Sequence, residues 1–403
     1  MLLFMASFAM LSGLYARKYF SMQSSPALTF SSKQFIRCLG GSLIGLLGAS
    51  LSVAAPVYTF TDLGTLGGKY SNATAINSSG QVVGNSYTVG NASQRATLWS
   101  NSTVTDLGTL GGTHSTASAI NNAGQVVGSS FMPGDTVVHA TLWSGNTLTD
   151  LGTLGGPSSS ATGINSSGQI SGSSQIASNS ATYHATLWSN SNIATDLGTL
   201  NGGRSNGMAI NDAGQVAGSY TPFSYGSNEH AALWGTRGVD LGTLGGTFSV
   251  GAAINETGQV AGYSYLAGNS AVHATIWDGT AVTDLGTLGG LHSYGLALNN
   301  VGQVVGSSSP VGGAFDHATL WNGTEIIDLN SYLDSNTLSD GWVLNWATGI
   351  NDQGSIVGNA FNTQSGVTHA FLLSVSASTV PEPGTVALLS LGLAGLAFSR
   401  RRT

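Results

Sequence analysis

Residues 115–156 read STASAINNAGQVVGSSFMPGDTVVHATLWSGNTLTDLGTLGG. The stretch contains four short apolar runs, Ala117–Asn121, Gln125–Ser129, His139–Trp143 and Leu148–Leu154. Turn residues separate them. Asn121-Asn122-Ala123-Gly124 suits a type I turn whose Gly takes positive φ. Gly145-Asn146 stands where other copies carry the hairpin dipeptides Asp278-Gly279 and Asn322-Gly323. The runs are rich in Val, Ile, Thr, Leu and Trp, and no window holds a helical period of useful length. The stretch is expected to form a four-stranded antiparallel meander, its strands labelled a to d in chain order.

The same unit recurs along the chain. DLGTLGG or a close variant starts at Asp62, Asp106, Asp150, Asp196, Asp240 and Asp284, and a decayed copy, DLNSYLD, starts at Asp328. The spacings are 44, 44, 46, 44, 44 and 44 residues. Four-stranded sheets repeated at this period predict an all-β, seven-bladed β-propeller. A parallel β-helix has shorter coils and parallel strands, so the tight hairpin turns count against it. Strand a is small and tight, at Ile76, Ile120, Ile164, Ile210, Ile254, Leu298 and Ile350, as suits an innermost strand. Strand c carries Trp99, Trp143, Trp188, Trp234, Trp277 and Trp321. A buried Trp removes roughly 150–250 Å² from water, on the order of 4–6 kcal/mol, and is expected between neighbouring sheets. The seventh strand c ends in His369-Ala370-Phe371-Leu372-Leu373, and no strand d follows it. An apolar segment, Tyr58–Leu66, precedes the first strand a. Its expected place is beside His369–Leu373, which closes the ring and removes two open edges.

The repeat region, 56–379, carries four basic residues (Lys69, Arg95, Arg204, Arg237) against seventeen acidic ones, a net charge of 4 − 17 = −13. Such a surface repels phosphate backbones and argues against nucleic acid. The single cysteine, Cys38, lies ahead of the repeats, so neither disulfides nor cysteine metal sites are expected in them.

Both ends read as processing segments. Residues 1–55 hold no acid; Lys33 and Arg37 precede an apolar run and the small residues Ser52-Val53-Ala54-Ala55. That order is a secretory signal peptide, with cleavage expected after Ala54 and Met22 as an alternative start. A retained anchor over Met1–Tyr15 is the competing reading. Residues 380–403 place Pro381-Glu382-Pro383 before an apolar run, Thr385–Phe398, and then Arg400-Arg401-Arg402. Such a run is short for a spanning helix but long enough to hold a precursor in the bilayer, with its arginines cytoplasmic. The tail resembles the PEP-CTERM sorting signal of Gram-negative bacteria, which implies an exosortase partner, cleavage near Pro-Glu-Pro, and delivery to the cell surface or matrix. A simple tail anchor is the plainer alternative. The modules His-Ala-x-Leu-Trp, Asp-Leu-Gly-Thr-Leu-Gly-Gly and Ala-Ile-Asn-x-x-Gly-Gln-Val-Val-Gly resemble the HAF-type extracellular repeat over Tyr58 to Leu373; the literal triplet is His369-Ala370-Phe371, and Arg95 replaces the His in the first unit. The resemblance implies a secreted or surface repeat protein and brings no catalytic residues.

The recurring polar residues are His139, His184, His230, His273, His317 and His369 at the start of strand c, with Asp62, Asp106, Asp150, Asp196, Asp240 and Asp284 opening the intact motifs. A residue repeated in every unit serves the unit, so these are expected to be structural, the His donating to a turn carbonyl and the Asp accepting from backbone N–H groups. A ring of imidazoles on the third strand is too wide to share a metal. The Gly-Thr-Leu-Gly-Gly turn lacks the Lys-Ser/Thr of a phosphate loop and leads into a strand. Asp334, Asn336 and Asp340 offer oxygen ligands in a long loop, but their spacing departs from an EF-hand. Trp342 and Trp346 are expected to fill the last interface in place of the missing strand-c Trp. No cofactor is implied, and no nucleophile elbow, metalloprotease motif or paired acid motif occurs.

The b–c loops vary in length and carry Tyr87, Phe131, Tyr183, Phe223, Tyr225, Tyr263, Tyr265 and Phe315; the d–a loops add Tyr70, His114, Phe248, His292 and Tyr294. Rigid scaffolds carry function on variable loops. Aromatic rings among Ser, Asn and Asp suit stacking on sugars, so the expected function is non-enzymatic binding of polysaccharide or a protein partner by a monomer at the surface. Rings folded back over the sheets are the plainer reading. The alternative class is a secreted hydrolase or lyase using loop carboxylates such as Asp135, Glu229 and Asp316.

Overall fold

The computed structural model describes residues 57–376, apart from 178–181, 190–192, 201, 223–228 and 314. The leader, its cleavage site and the tail with Pro381, Glu382, Pro383, Arg400, Arg401 and Arg402 lie outside the described residues, as do Phe223 and Tyr225.

The architecture is all-β and propeller-like. Five four-stranded antiparallel sheets span 115–150, 159–196, 204–242, 245–284 and 289–328, each in the order a-b-c-d. A further sheet joins the first meander (Gly67–Ile76, Val82–Thr88, Gln94–Ser100, Thr103–Asp106) to the last (Trp342–Ile350, Ile356–Asn362, Thr368–Ser376) through one parallel bridge, Tyr70 to Thr368. The N-terminal strand Val57–Asp62 lies antiparallel on Thr368–Ser376, with Val57 opposite Ser376 and Asp62 opposite Phe371. It occupies the strand-d position of the last meander.

The segment expected as a strand over Tyr58–Leu66 therefore ends at Asp62, and strand d of the second meander ends at Asp150 rather than Leu154. The reason is local. The aspartate accepts a hydrogen bond from the backbone N–H two residues on, as in Gly64 N to Asp62 Oδ1 at 2.9 Å and Gly152 N to Asp150 Oδ1 at 2.8 Å. This Asx turn competes with the strand ladder and stops it.

The a–b turns follow their sequence. In Asn121–Gly124 the Asn121 Oδ1 accepts from Ala123 N and Gln125 N, and Gly124 closes the turn at φ +77°. That left-handed conformation favours Gly. A second glycine serves proximity instead. A Cβ on Gly128 would collide with the carbonyl of Thr116, so the absent side chain admits strand a against strand b where the pairing register shifts between Ala117 and Ala119.

The core is a series of interfaces between consecutive sheets. Trp143 packs with Val83 and Ala96 of the preceding meander, and Trp188 with Val127 and Ala140. Trp99 packs with Val357 and Ala370 of the last meander. Serines add a polar latch. Ala96 N donates to Ser115 Oγ at 2.9 Å, and Ser115 Oγ donates to Gly108 O at 2.9 Å. The same latch joins the first and last meanders: Ala370 N to Ser71 Oγ at 3.0 Å, and Ser71 Oγ to Gly64 O at 2.8 Å.

The interface ahead of the last meander is built differently from expectation. Leu373 takes the strand-c Trp position, opposite Ile356. Phe371, Leu329, Leu333 and Leu344 fill the space against Val305, Ala318 and Leu320. The decayed DLNSYLD motif supplies two of these leucines, because its turn is replaced by a 3-10 segment, Leu329–Tyr332, and a short helix, Ser335–Ser339. Trp342 only flanks this core, and Trp346 points elsewhere, onto Tyr294.

Candidate functional site

Each meander has two ends. One carries the a–b and c–d turns. The other carries the b–c connections and the DLGTLGG turns.

At the first end, the ends of strand a surround a funnel of about 320 Å³ lined by Ile76, Ile120, Ile164, Ile210, Ile254, Leu298 and Ile350 and by turn residues. Asparagines stitch its rim. Asn77 Nδ2 donates to Asn121 O at 3.2 Å, and the pattern continues through Asn121, Asn165, Asn211, Asn255 and Asn299. Asn351 Nδ2 then donates to Asn77 O at 3.1 Å. Asp212, Glu256 and Asp352 stand beside them, each accepting from a backbone N–H of the neighbouring turn. These polar groups satisfy one another. Sequence reading did not single them out as an inter-sheet device, although the Asn recurs in every unit.

At the other end, register makes the comparison between units direct. At one equivalent position of the a–b ladder the cross-strand pairs are Asn72–Asn85, Thr116–Ser129, Ser160–Ser173 and Asn206–Ser219 in the first four meanders, all small and polar. The next three are Val250–Tyr263, Tyr294–Ser307 and Trp346–Asn359. An aromatic row follows. Phe248 lies 5.4 Å from Tyr265 and 6.1 Å from Tyr263 between ring centroids; Tyr263 meets Tyr294 at 5.1 Å, edge-on; Tyr294 meets Trp346 at 5.9 Å. All five rings are half-buried. The row crosses three meanders of a scaffold that is otherwise nearly periodic.

Two carboxylates border it. Glu229 and Asp316 hold equivalent positions, each just ahead of a strand-c histidine. Glu229 Oε1 accepts from Ser219 Oγ, and Asp316 Oδ1 accepts from Ser309 Oγ at 2.7 Å. Burial raises the phenol pKa of Tyr263, and the Glu229 charge adds to it; burial and then Asp316 do the same for Tyr294. No lysine or arginine occurs between Arg237 and Arg400.

The remaining expected binding residues divide. Tyr87 sits edge-on to Tyr70 and Phe131 to His114, each within its own sheet. Tyr183 lies under Arg204, whose guanidinium carbon is 5.9 Å from the ring. Phe315 is the most open, 56% exposed, beside Phe361 at 6.0 Å. Most of these rings stand on strands, not loops: Tyr87, Phe131, Tyr183, Tyr263 and Tyr265 on b or c, and Tyr70, Phe248, His292 and Tyr294 on extended copies of strand a. Trp346 and Tyr294 were not recognised as one site with Tyr263. The signal was present, since the equivalent positions in the first four units are Ser, Thr or Asn.

The histidines pair with the motif aspartates and not with turn carbonyls. His139 Nδ1 is 2.8 Å from Asp150 Oδ2, and equivalent contacts join His184–Asp196, His230–Asp240, His273–Asp284, His317–Asp328 and His369–Asp62. Around Asp240, burial works against ionisation, but hydrogen bonds from His230, Gly242 N and Tyr220 outweigh it and hold the carboxyl below its usual range. The Asp334 carboxylate caps the short helix, accepting from Asn336 N and Thr337 N. Among the described residues no three His, Cys, Asp or Glu side chains converge as a metal site, and no helix is long and apolar enough to cross a membrane.

The PEP-CTERM protein-sorting motif matches residues 379–402. It implies export by way of a transient membrane-anchored signal of the kind exosortases process. No curated protein matches the chain in sequence. Among solved structures, a gluconolactonase from Xanthomonas campestris is similar at 11% identity and a TM-score of 0.36, over 81% of this chain and 93% of that one. A likeness that slight carries no argument here.

Proposed function

We propose that the chain is a non-enzymatic surface protein that binds polysaccharide along the row Phe248–Tyr263–Tyr294–Trp346, at the cell surface or in an extracellular matrix or biofilm. The observation that carries this reading is the departure of three adjacent meanders from the Ser/Thr/Asn pattern at equivalent positions. Structural residues repeat, whereas a binding site draws on unlike ones. Half-buried aromatic rings offer apolar area in a fixed orientation with little side-chain entropy to lose. Glu229 and Asp316 supply acceptors for sugar hydroxyls. Without nearby cations the row suits neutral or amino-bearing glycans and disfavours uronates and sulfates.

The scaffold in this reading is a seven-bladed propeller, the last blade completed by Val57–Asp62. The Asn351-to-Asn77 bond, the Ser71 latch and the pairing of Val57 with Ser376 support that closure. The repeats are read as HAF-type, and an exosortase is the processing partner. A second reading, hydrolysis by Glu229 and Asp316, is favoured only by their shared end of the fold. Glycan-array binding by the purified protein, with release of reducing ends measured on the same glycans, separates the two. Binding without turnover supports the first reading, while turnover lost in Glu229→Gln or Asp316→Asn supports the second.

A further inference from the structure

The two termini of the described chain leave the fold together, and the aromatic row lies at the opposite end. Val57 is paired with Ser376. Strand d runs from the c–d turn toward the DLGTLGG turn, so Val57 lies at the end bearing the c–d turns and the asparagine funnel. Strand c runs the other way, so its last copy, Thr368–Ser376, finishes at that same end.

We propose that the exported chain, while its tail is held in a bilayer, faces the lipid with its funnel and c–d turns and directs the aromatic row away from it. The proposal rests on the tail as a membrane-held segment and is independent of the ligand's identity. Chain length enforces it. Between Ser376 and the apolar run opening at Thr385 stand 384 − 376 = 8 residues, which span at most about 29 Å when fully extended. The inner strands are six to ten residues long, so the sheets are about 20–33 Å tall at ~3.3 Å per residue. A tether leaving the funnel end would be largely spent in running the height of the sheets, leaving at most ~9 Å to lay the opposite face on the membrane. Asp212, Glu256 and Asp352 around the funnel make its rim acidic. An anionic headgroup is therefore repelled, and the tether rather than surface adsorption sets the arrangement.

The test uses the exported chain, residues 55–403, which holds no cysteine, purified with its tail intact and reconstituted into phosphatidylcholine vesicles containing a trace of acceptor-labelled lipid. A donor dye is placed by single substitution at the c–d turns, Asn146→Cys or Thr280→Cys, or at the opposite end, Val89→Cys or Ala267→Cys. All four positions are exposed, and near-UV circular dichroism of each variant checks the fold. Energy transfer to lipid at least twofold higher from Asn146 and Thr280 is the expected result. Equal or reversed transfer in vesicle-bound protein overturns the orientation alone. Protein that stays in the supernatant overturns the tail reading on which it rests.

Discussion

His369 and Asp62 stand 307 positions apart and meet side chain to side chain, Nδ1 to Oδ2 at 2.9 Å. The equivalent pairs elsewhere close a hairpin within one meander, ten to twelve positions apart. This pair therefore holds the N-terminal strand on the C-terminal one.

Asp62→Ala is expected to lower stability by about 1 kcal/mol, the typical worth of a partly exposed pair with one added backbone hydrogen bond. Its particular effect is local. Amide exchange should accelerate along Val57–Asp62 and Thr368–Ser376, as at a fraying edge. Asp150→Ala loses the same kind of bond without freeing a terminal strand and should leave that exchange unchanged. Exchange mass spectrometry on the two variants decides it.

Asn351→Ala removes the donor to Asn77 O and the acceptor for Ser355 N. A buried group left unpaired costs about 1–3 kcal/mol. Asn211→Ala, at an internal junction with the same bonding, should cost about as much. Equal losses in urea denaturation fit a continuous ring of asparagines; a negligible loss for Asn351→Ala would mark an open junction between the first and last meanders.

The tryptophans act through packing. The indole nitrogens of Trp99, Trp143, Trp188, Trp234, Trp277 and Trp321 have no hydrogen-bond partner among the described residues. Trp188→Phe therefore forfeits no polar contact and should cost well below Trp188→Ala, for which cavity formation predicts about 3–5 kcal/mol. Thermal denaturation of the pair of variants gives the comparison.

Stability should fall at both extremes of pH. The Asp240 carboxyl titrates below its usual range in the fold. A depressed folded pKa contributes stability that is complete above the unfolded value, about 3.9, and is lost as pH falls through the folded value. Asp240→Asn should flatten part of that acid limb. On the alkaline side Tyr58 and Tyr220 are pushed up to about 12, first by burial. Raised folded values mean stability complete below the unfolded value near 10 and lost as pH rises toward 12. Chemical denaturation across pH, with phenolate absorbance followed in parallel, checks both limbs.

Much of the architecture was legible because it is written repeatedly. Period, turn dipeptides and the strand-c Trp specify the meander, and Tyr58 onward is the one apolar segment left to stand beside His369–Leu373. The end of strand d was misread because apolar Leu151 and Leu154 look like strand, whereas the Asp150 side chain captures the Gly152 N–H and turns the chain. The last interface was misread for a related reason. Aromatic content pointed to Trp342 and Trp346, but the altered turn after Asp328 delivers Leu329 and Leu333 into that space. The site was half legible: Tyr263, Tyr265, Phe248 and Tyr294 drew notice as loop aromatics, and only strand register aligns them with Trp346 across three sheets.

The aromatic row is the centre of the functional account, and titration calorimetry tests it most directly. Purified wild-type protein, Trp346→Ala, Tyr294→Ala and the control Phe131→Ala are titrated with a neutral oligosaccharide selected on the array and with its uronate counterpart. The account predicts binding of the neutral glycan by the wild type and by Phe131→Ala, weakening of tenfold or more in Trp346→Ala and Tyr294→Ala, and no gain for the uronate. Unchanged affinity in Trp346→Ala and Tyr294→Ala, with their thermal unfolding intact, would contradict it.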